Sequence, residues 1–165
     1  MRTLASLVLL LLPIAANADE LVQPKGGNFS IRFPAKPKDN TQSAKTDLGT
    51  LKVYTATYAL PDGGIYLVSF TEFPAEAVKP DLRGTLYDGV VKGLKGKDGK
   101  VVGEEKELEI GKEKGREVLI NKGKQHTRFR VVVKDARLIQ IALVGSLEFV
   151  NSKEATAFLD SFEFK

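Results

Sequence analysis

Residues 125–144 read QHTRFRVVVKDARLIQIALV. Two runs of β-branched and aliphatic residues flank Asp135-Ala136, a gap short enough for a hairpin, so the stretch predicts adjacent antiparallel strands over 125–134 and 137–144. Side chains alternate between faces along a strand, yet residues 131–133 and 138–144 are nearly all apolar on both. A strand with one wet face shows polar residues at every second position. These two therefore belong at the centre of a sheet covered on both sides, which predicts a three-layer sandwich.

Further strands are read on the N-terminal side at 115–121 and 101–110, divided from the first pair and from each other by Lys122-Gly123-Lys124 and Gly111-Lys112-Glu113-Lys114. Before them the period changes. Leu82, Leu86, Val90 and Leu94 recur every four residues with Val91 beside them, the apolar stripe of a helix at about 80–94. Asp81 complements its positive end and Gly93 to Gly99 closes it, while Gly84 and Gly89 weaken its interior. Earlier still, 51–60 and 65–73 form a hairpin around Pro61-Asp62-Gly63-Gly64. Thr41–Thr46 reads as a polar edge strand, joined to that hairpin through Asp47-Leu48-Gly49. Asn28–Phe33 is a first strand with Phe29, Ile31 and Phe33 on one face, stopped by Pro34 and Pro37.

On the C-terminal side, Asn151 reads as the cap of a helix at about 151–162, with Glu154 as the reciprocal member of a capping box. Ala155, Phe158, Leu159 and Phe162 make its buried face. No period of 20 to 50 residues recurs, which argues against a solenoid or propeller. The elements together predict an α+β domain: a three-layer α/β/α sandwich with a central, mainly antiparallel sheet of about six to seven strands.

Residues 1–18 have the pattern of a cleavable export leader. Arg2 gives a positive start, Leu4 to Leu12 an apolar run, and Ala16-Asn17-Ala18 the small-x-small ending. The apolar run is shorter than the roughly 20 residues needed to cross a bilayer. Removing 18 of the 165 residues leaves 147, the size of one domain spanning 19–165. The chain has no Cys, so an acylated lipoprotein anchor, a cysteine nucleophile and disulfides are all excluded. Stability must come from the hydrophobic core. The expected location is the periplasm or outside the cell, without a stable membrane anchor. The full chain carries 25 Lys plus Arg against 21 Asp plus Glu, and losing Arg2 lowers the net charge from +4 to +3. That mixed, mildly basic composition lacks the concentrated positive surface of a nucleic-acid binder.

Three stretches carry a family likeness: Phe29-Ser30-Ile31-Arg32-Phe33-Pro34 with Lys36-Pro37-Lys38, then Gly115-Arg116-Glu117, and finally Phe158-Leu159-Asp160-Ser161-Phe162-Glu163-Phe164. In these the chain resembles the PsbP-like superfamily of α/β/α sandwiches, which includes the extrinsic photosystem II protein, Ran-binding Mog-type proteins and many exported bacterial proteins. The motifs are structural: a strand ending at Pro, a turn into a strand, and a closing helix whose aromatics fill the core. The resemblance implies a non-catalytic protein that binds or assists another component. It carries over no metal or partner residues.

Catalytic and metal patterns are sparse. His126 is the sole His, with no second ligand at a useful spacing on its strand, so no cofactor or metal is expected. Ser69, Ser146 and Asp135 could join it in a triad, but no Gly-x-Ser-x-Gly elbow surrounds either serine. Gly111 to Arg116 lacks the Gly-Lys-Ser/Thr ending of a phosphate loop and reads as a hairpin. Glu104, Glu105, Glu107 and Glu109 lack the order of an EF-hand and read as a solvated strand face.

The sharpest candidate is basic. His126, Arg128 and Arg130 share one face of their strand, Lys122 and Lys124 lead into them, and Arg116 is on the neighbouring strand. Such a stripe would dock an anionic partner: a lipid head group, an acidic polysaccharide or an acidic protein. Alternatively these cations pair across strands with Glu117 and the 104–109 acids, the reading their closeness in sequence favours. The expected function is an exported, non-catalytic binding or assembly protein. Two alternatives stand beside it. A small hydrolase would gather His126, a carboxylate and a serine in one cleft. An apolar-ligand carrier would show a cavity between helix 80–94 and the sheet, lined by Leu82, Leu86, Tyr54 and Tyr58.

Overall fold

The computed structural model describes residues 19–46 and 49–165; the leader-like residues 1–18 and the Asp47-Leu48 part of the turn lie outside them. The strands are β1 (Glu20–Val22), β2 (Phe29–Phe33), β3 (Lys38–Thr46), β4 (Gly49–Ala59), β5 (Ile65–Glu72), β6 (Lys100–Val101), β7 (Lys106–Ile110), β8 (Glu113–Lys122), β9 (Gln125–Lys134), β10 (Arg137–Gly145) and β11 (Glu163–Phe164). The helices are α1 (Arg83–Lys95), α2 (Leu147–Val150) and α3 (Lys153–Asp160), and two 3₁₀ turns, Ala75–Val78 and Pro80–Leu82, precede α1.

The chain is an α+β protein built on antiparallel pairing. Its large sheet runs β3-β4-β5-β10-β9-β8-β6, with β7 also paired to β8, and a separate three-stranded sheet runs β1-β2-β11. The two-faced strands β9 and β10 do sit in its middle. The count of six to seven strands is too low: there are eight strands in one sheet and three in the other.

Two of the extra strands, β1 and β11, have three and two residues and leave almost no periodic trace. Another comes from division. Val101 pairs with Ile120 and Lys106 with Glu117, so residues 102–105 face only Val118 and Leu119 and must loop out, with Gly103 at φ 72°.

Each face of the large sheet has its own core. On one, Tyr66, Val68, Phe70, Val132, Ile139, Ile141 and Leu143 pack against Phe29, Ile31 and Phe33 of β2 and against Val150, Ala155, Phe158 and Leu159 of α2 and α3. On the other, Val118, Ile120, Phe129, Val131, Val133 and Leu138 pack against Val78 and against Tyr87 and Val91 of α1. The α/β/α description therefore needs correcting. One covering layer is α1 with its 3₁₀ lead-in; the opposite one mixes two short helices with a small sheet.

Helix α1 begins three residues later than the stripe implied, because Pro80–Leu82 forms a 3₁₀ turn and leaves Leu82 42% exposed. Gly96 ends it at φ 60°, its N–H donating to the Lys92 carbonyl. The residue that ties α1 down is Tyr87. Its hydroxyl donates to the Lys114 carbonyl (2.9 Å) and accepts from the Val133 N–H (3.0 Å). The β8–β9 register stops at Gly115↔Val132, so the hydroxyl splices these two orphaned groups one step beyond the ladder. Burial raises the Tyr87 pKa above its ordinary 10.0.

The C-terminal cap also differs by one residue. Ser152, not Asn151, caps α3, its Oγ accepting from Ala155 N–H (3.1 Å), while the Asn151 side chain donates to the Leu147 carbonyl. The helix stops at Asp160. Phe162 reaches the core from outside it, its ring 5.0 Å from that of Phe29.

Candidate functional site

A concavity lies where the segment leading into β2 passes over β3, β4 and β5. Gly27 N–H bonds the Pro24 carbonyl (2.9 Å), and positive φ at Gly26 (82°) and Asn28 (55°) bends residues 24–28 into an arch before Phe29 enters the core. Beneath this arch is a cleft of about 520 Å³. Val68 and Ala56 form its floor. Tyr54 and Phe70, stacked at 4.6 Å and 9° between planes, form one wall, and Phe29 meets Phe70 edge-on at 5.9 Å. The register explains the pairing: Tyr54 is the cross-strand partner of Phe70, as Ala56 is of Val68. Lys25, Asp39, Asn40 and Thr41 give an exposed polar rim, and Glu72 at one end is held by Arg137 (2.9 Å).

The cavity expected between the mid-chain helix and the sheet is thus misplaced. Tyr54 and Tyr58 pack with the aromatic core facing α2 and α3, whereas Leu86 packs on the α1 side.

The six basic residues do not form one stripe. Arg128 and Arg130 share a face and converge on Glu117, which is 8% exposed. Arg128 reaches Glu117 Oε1 through Nε (3.1 Å) and Nη2 (3.0 Å); Arg130 Nε reaches Oε2 (2.7 Å). The chain of charges continues from Arg130 to Asp160 of α3 (2.8 Å), and Arg128 Nη1 donates to Thr156 Oγ1 (3.0 Å) and the Val150 carbonyl (3.4 Å). Two arginines and two carboxylates thereby rivet α2 and α3 to the sheet with no net charge. Arg116 points to the opposite face, where it pairs with Asp88 of α1 and with Glu105 and lies 5.8 Å from the Tyr87 ring. Lys122 and Lys124 are exposed at the β8–β9 turn.

His126 is buried beside Gly145 and Asn121, with an Nδ1 that has no hydrogen-bond partner among the described residues. The triad candidates stay apart. Ser146 Oγ caps α2 by accepting from Phe149 N–H, Ser69 lies opposite Gln140 within the sheet, and Asp135 sits in the β9–β10 turn. A smaller cavity of about 310 Å³, lined by Glu117, Leu119, Arg128 and Asn151 among others, opens beside the ion network. Among the described residues no group of three or more His, Asp or Glu could hold a metal ion, and no helix is long and apolar enough to cross a membrane.

The aromatic cleft was not foreseen from the sequence. Its signal was there in part: alternation puts Tyr54, Ala56 and Tyr58 on one face of β4, but the arch of residues 24–28 that roofs the cleft depends on tertiary structure.

No protein-family model matches the chain, and no curated protein matches it. Among solved structures, the cyanobacterial PsbP of Synechocystis superposes with a TM-score of 0.61 at 10% identity, covering 93% of this chain and 96% of that one. The chain therefore has a PsbP-like fold, and at that identity the likeness is of fold alone. A Pseudomonas aeruginosa protein of unknown function aligns over 84% of this chain and 90% of its own at 8% identity, with a TM-score of 0.41, too low to carry an argument.

Proposed function

We propose that this PsbP-like domain is an exported, non-catalytic binding protein whose ligand is a small molecule with an apolar ring, held in the cleft above β4 and β5. The leader pattern of residues 1–18 supports export. The observation that carries the binding reading is the cleft of about 520 Å³ whose lining includes the half-buried ring of Tyr54, stacked on the core residue Phe70. Small-molecule sites are typically this size, largely apolar, with a few polar groups at the rim. Stacked rings offer a flat, polarisable wall to another ring, and Lys25, Asp39 and Thr41 supply both charge signs and a hydroxyl for orientation. The cleft lining includes neither His126 nor a serine, which supports binding over hydrolysis.

The test is titration with 1-anilinonaphthalene-8-sulfonate. Saturable enhancement is expected, weakened at least tenfold by Thr41→Trp, which plugs the cleft from its rim, and unchanged by Lys124→Ala at the far turn. Equal binding by wild type and Thr41→Trp would overturn the reading.

A further inference from the structure

Strand β3 forms the free edge of the large sheet, and eight of its nine residues are exposed, all but Ala44. Such an edge is a template for another strand unless something blocks it. The register shows which backbone groups are on offer. Thr46 pairs with Gly49 across a two-residue connection, so that closing pair exchanges ladder hydrogen bonds, and the pattern then alternates. Asn40, Gln42 and Ala44 bond to β4. The N–H and C=O groups of Asp39, Thr41, Ser43 and Lys45 point away from the sheet, and among the described residues no loop or turn hydrogen bond reaches them.

We propose that a second copy of this chain pairs antiparallel with β3 about a two-fold axis at Gln42. In that register Asp39 stands opposite Lys45 of the partner subunit and Thr41 opposite Ser43 of the partner subunit, each pair occurring twice by symmetry. All four are pairs of outward-pointing residues, which gives about eight backbone hydrogen bonds. Charge selects this register over its neighbours. With the axis at Thr41, Lys45 would face Pro37, which has no N–H, and Asp39 would face Ser43. With the axis at Ser43, Lys45 would face Thr41 and Asp39 would pass beyond the strand end. Only at Gln42 do both lysine–aspartate pairs form. Lysine on an edge strand ordinarily repels another edge; here Asp39 turns it into a contact.

The pairing reaches the cleft. Asp39 and Thr41 lie on its rim, so Lys45 of the partner subunit adds a cation to the rim beside Asp39. The contact is only one strand wide, which makes the dimer a weak, concentration-dependent one. Because it rests on the strand edge, its failure would leave the ligand reading of the cleft intact.

Sedimentation velocity on the purified protein up to about 200 µM tests it, since the dimer fraction must rise with concentration. Three variants should separate its parts. Thr41→Pro removes an outward N–H without touching the β3–β4 ladder, a position where edge strands accept proline, and should weaken the dimer at least tenfold. Asp39→Lys should weaken it comparably, and adding Lys45→Asp to Asp39→Lys should restore it. A wild-type monomer throughout, or a dimer indifferent to Thr41→Pro, would overturn the proposal. A folded double variant that fails to re-form the dimer would overturn the register.

Discussion

Glu117 is the hinge of the ion network, and Glu117→Gln should be one of the most damaging isosteric changes in the chain. The Glu117 side chain is 10% exposed and its carboxylate receives three charged contacts between 2.7 and 3.1 Å from two guanidinium groups. An amide turns an NH2 toward one arginine and removes the charge that balances both. Breaking a buried ion pair by removing one partner costs about 3–5 kcal/mol. Here the arginine side chains remain 16% exposed, and each keeps a second partner: Asp160 for Arg130, Thr156 for Arg128. Water and those partners recover part of the loss, leaving about 2–4 kcal/mol. With a urea m-value of about 2 kcal/mol/M, the unfolding midpoint should drop by roughly 1–2 M at unchanged m. Replacing the triad together, Glu117→Leu with Arg128→Met and Arg130→Met, should cost far less, because no buried charge of the network is left unpaired and Asp160, which loses Arg130, is 59% exposed to water. A midpoint shift below about 0.3 M for Glu117→Gln would refute a structural role for the network.

The other predictions concern single joints of the fold. Tyr87→Phe strands the Val133 N–H and the Lys114 carbonyl and should cost about 1–3 kcal/mol by urea unfolding. Because burial raises the Tyr87 pKa in the folded state, its contribution is full below 10.0 and falls as pH rises from there through the raised value; Tyr87→Phe should lose less stability over that alkaline window. Ser152→Ala should lower stability by about 1 kcal/mol and Asn151→Ala by clearly less, which thermal unfolding of the two variants would show. Asp135 and Ala136 both have positive φ, 48° and 60°, in the β9–β10 turn. Ala136→Gly should therefore stabilise by up to about 1 kcal/mol, relief of the left-handed strain outweighing the added chain entropy.

What the sequence revealed, and what it hid, follows from the range of the interactions involved. The two-faced pattern of 131–133 and 138–144 reports burial directly, and it located the centre of the large sheet. The Pro61 to Gly64 turn and the polar strand before it were legible for the same local reason. Adjacent cappers were not separable: Asn151 and Ser152 are both good caps, and the Asn151 side chain is taken by the Leu147 carbonyl, which leaves Ser152 to cap α3.

 The β6–β7 break was hidden because Glu105, Glu107 and Glu109 alternate along one strand face and the reading was carried back through Gly103, whose positive φ marks the loop. Phe162 falls at the seventh position from Ala155, so helical periodicity claimed it although the helix had ended at Asp160.

The candidate sites divide along the same line. That Arg128 and Arg130 share a face needs only the period of a strand. That Glu117 rather than Arg116 faces Arg130 needs the β8–β9 register, a long-range fact. The aromatic cleft needs more still, since Phe29, Tyr54 and Phe70 meet only when the first strand crosses the sheet.

Ligand binding between the arch at residues 24–28 and the Tyr54–Phe70 wall is most directly tested by backbone NMR of the isotope-labelled protein, titrated with 1-anilinonaphthalene-8-sulfonate. Binding there predicts saturable shifts centred on Gly26, Phe29, Thr41, Tyr54, Ala56 and Phe70, with the signals of Lys122, Lys124 and Arg128 unmoved. Shifts gathered around Lys122, Lys124 and Arg128, or none at the cleft, would contradict it.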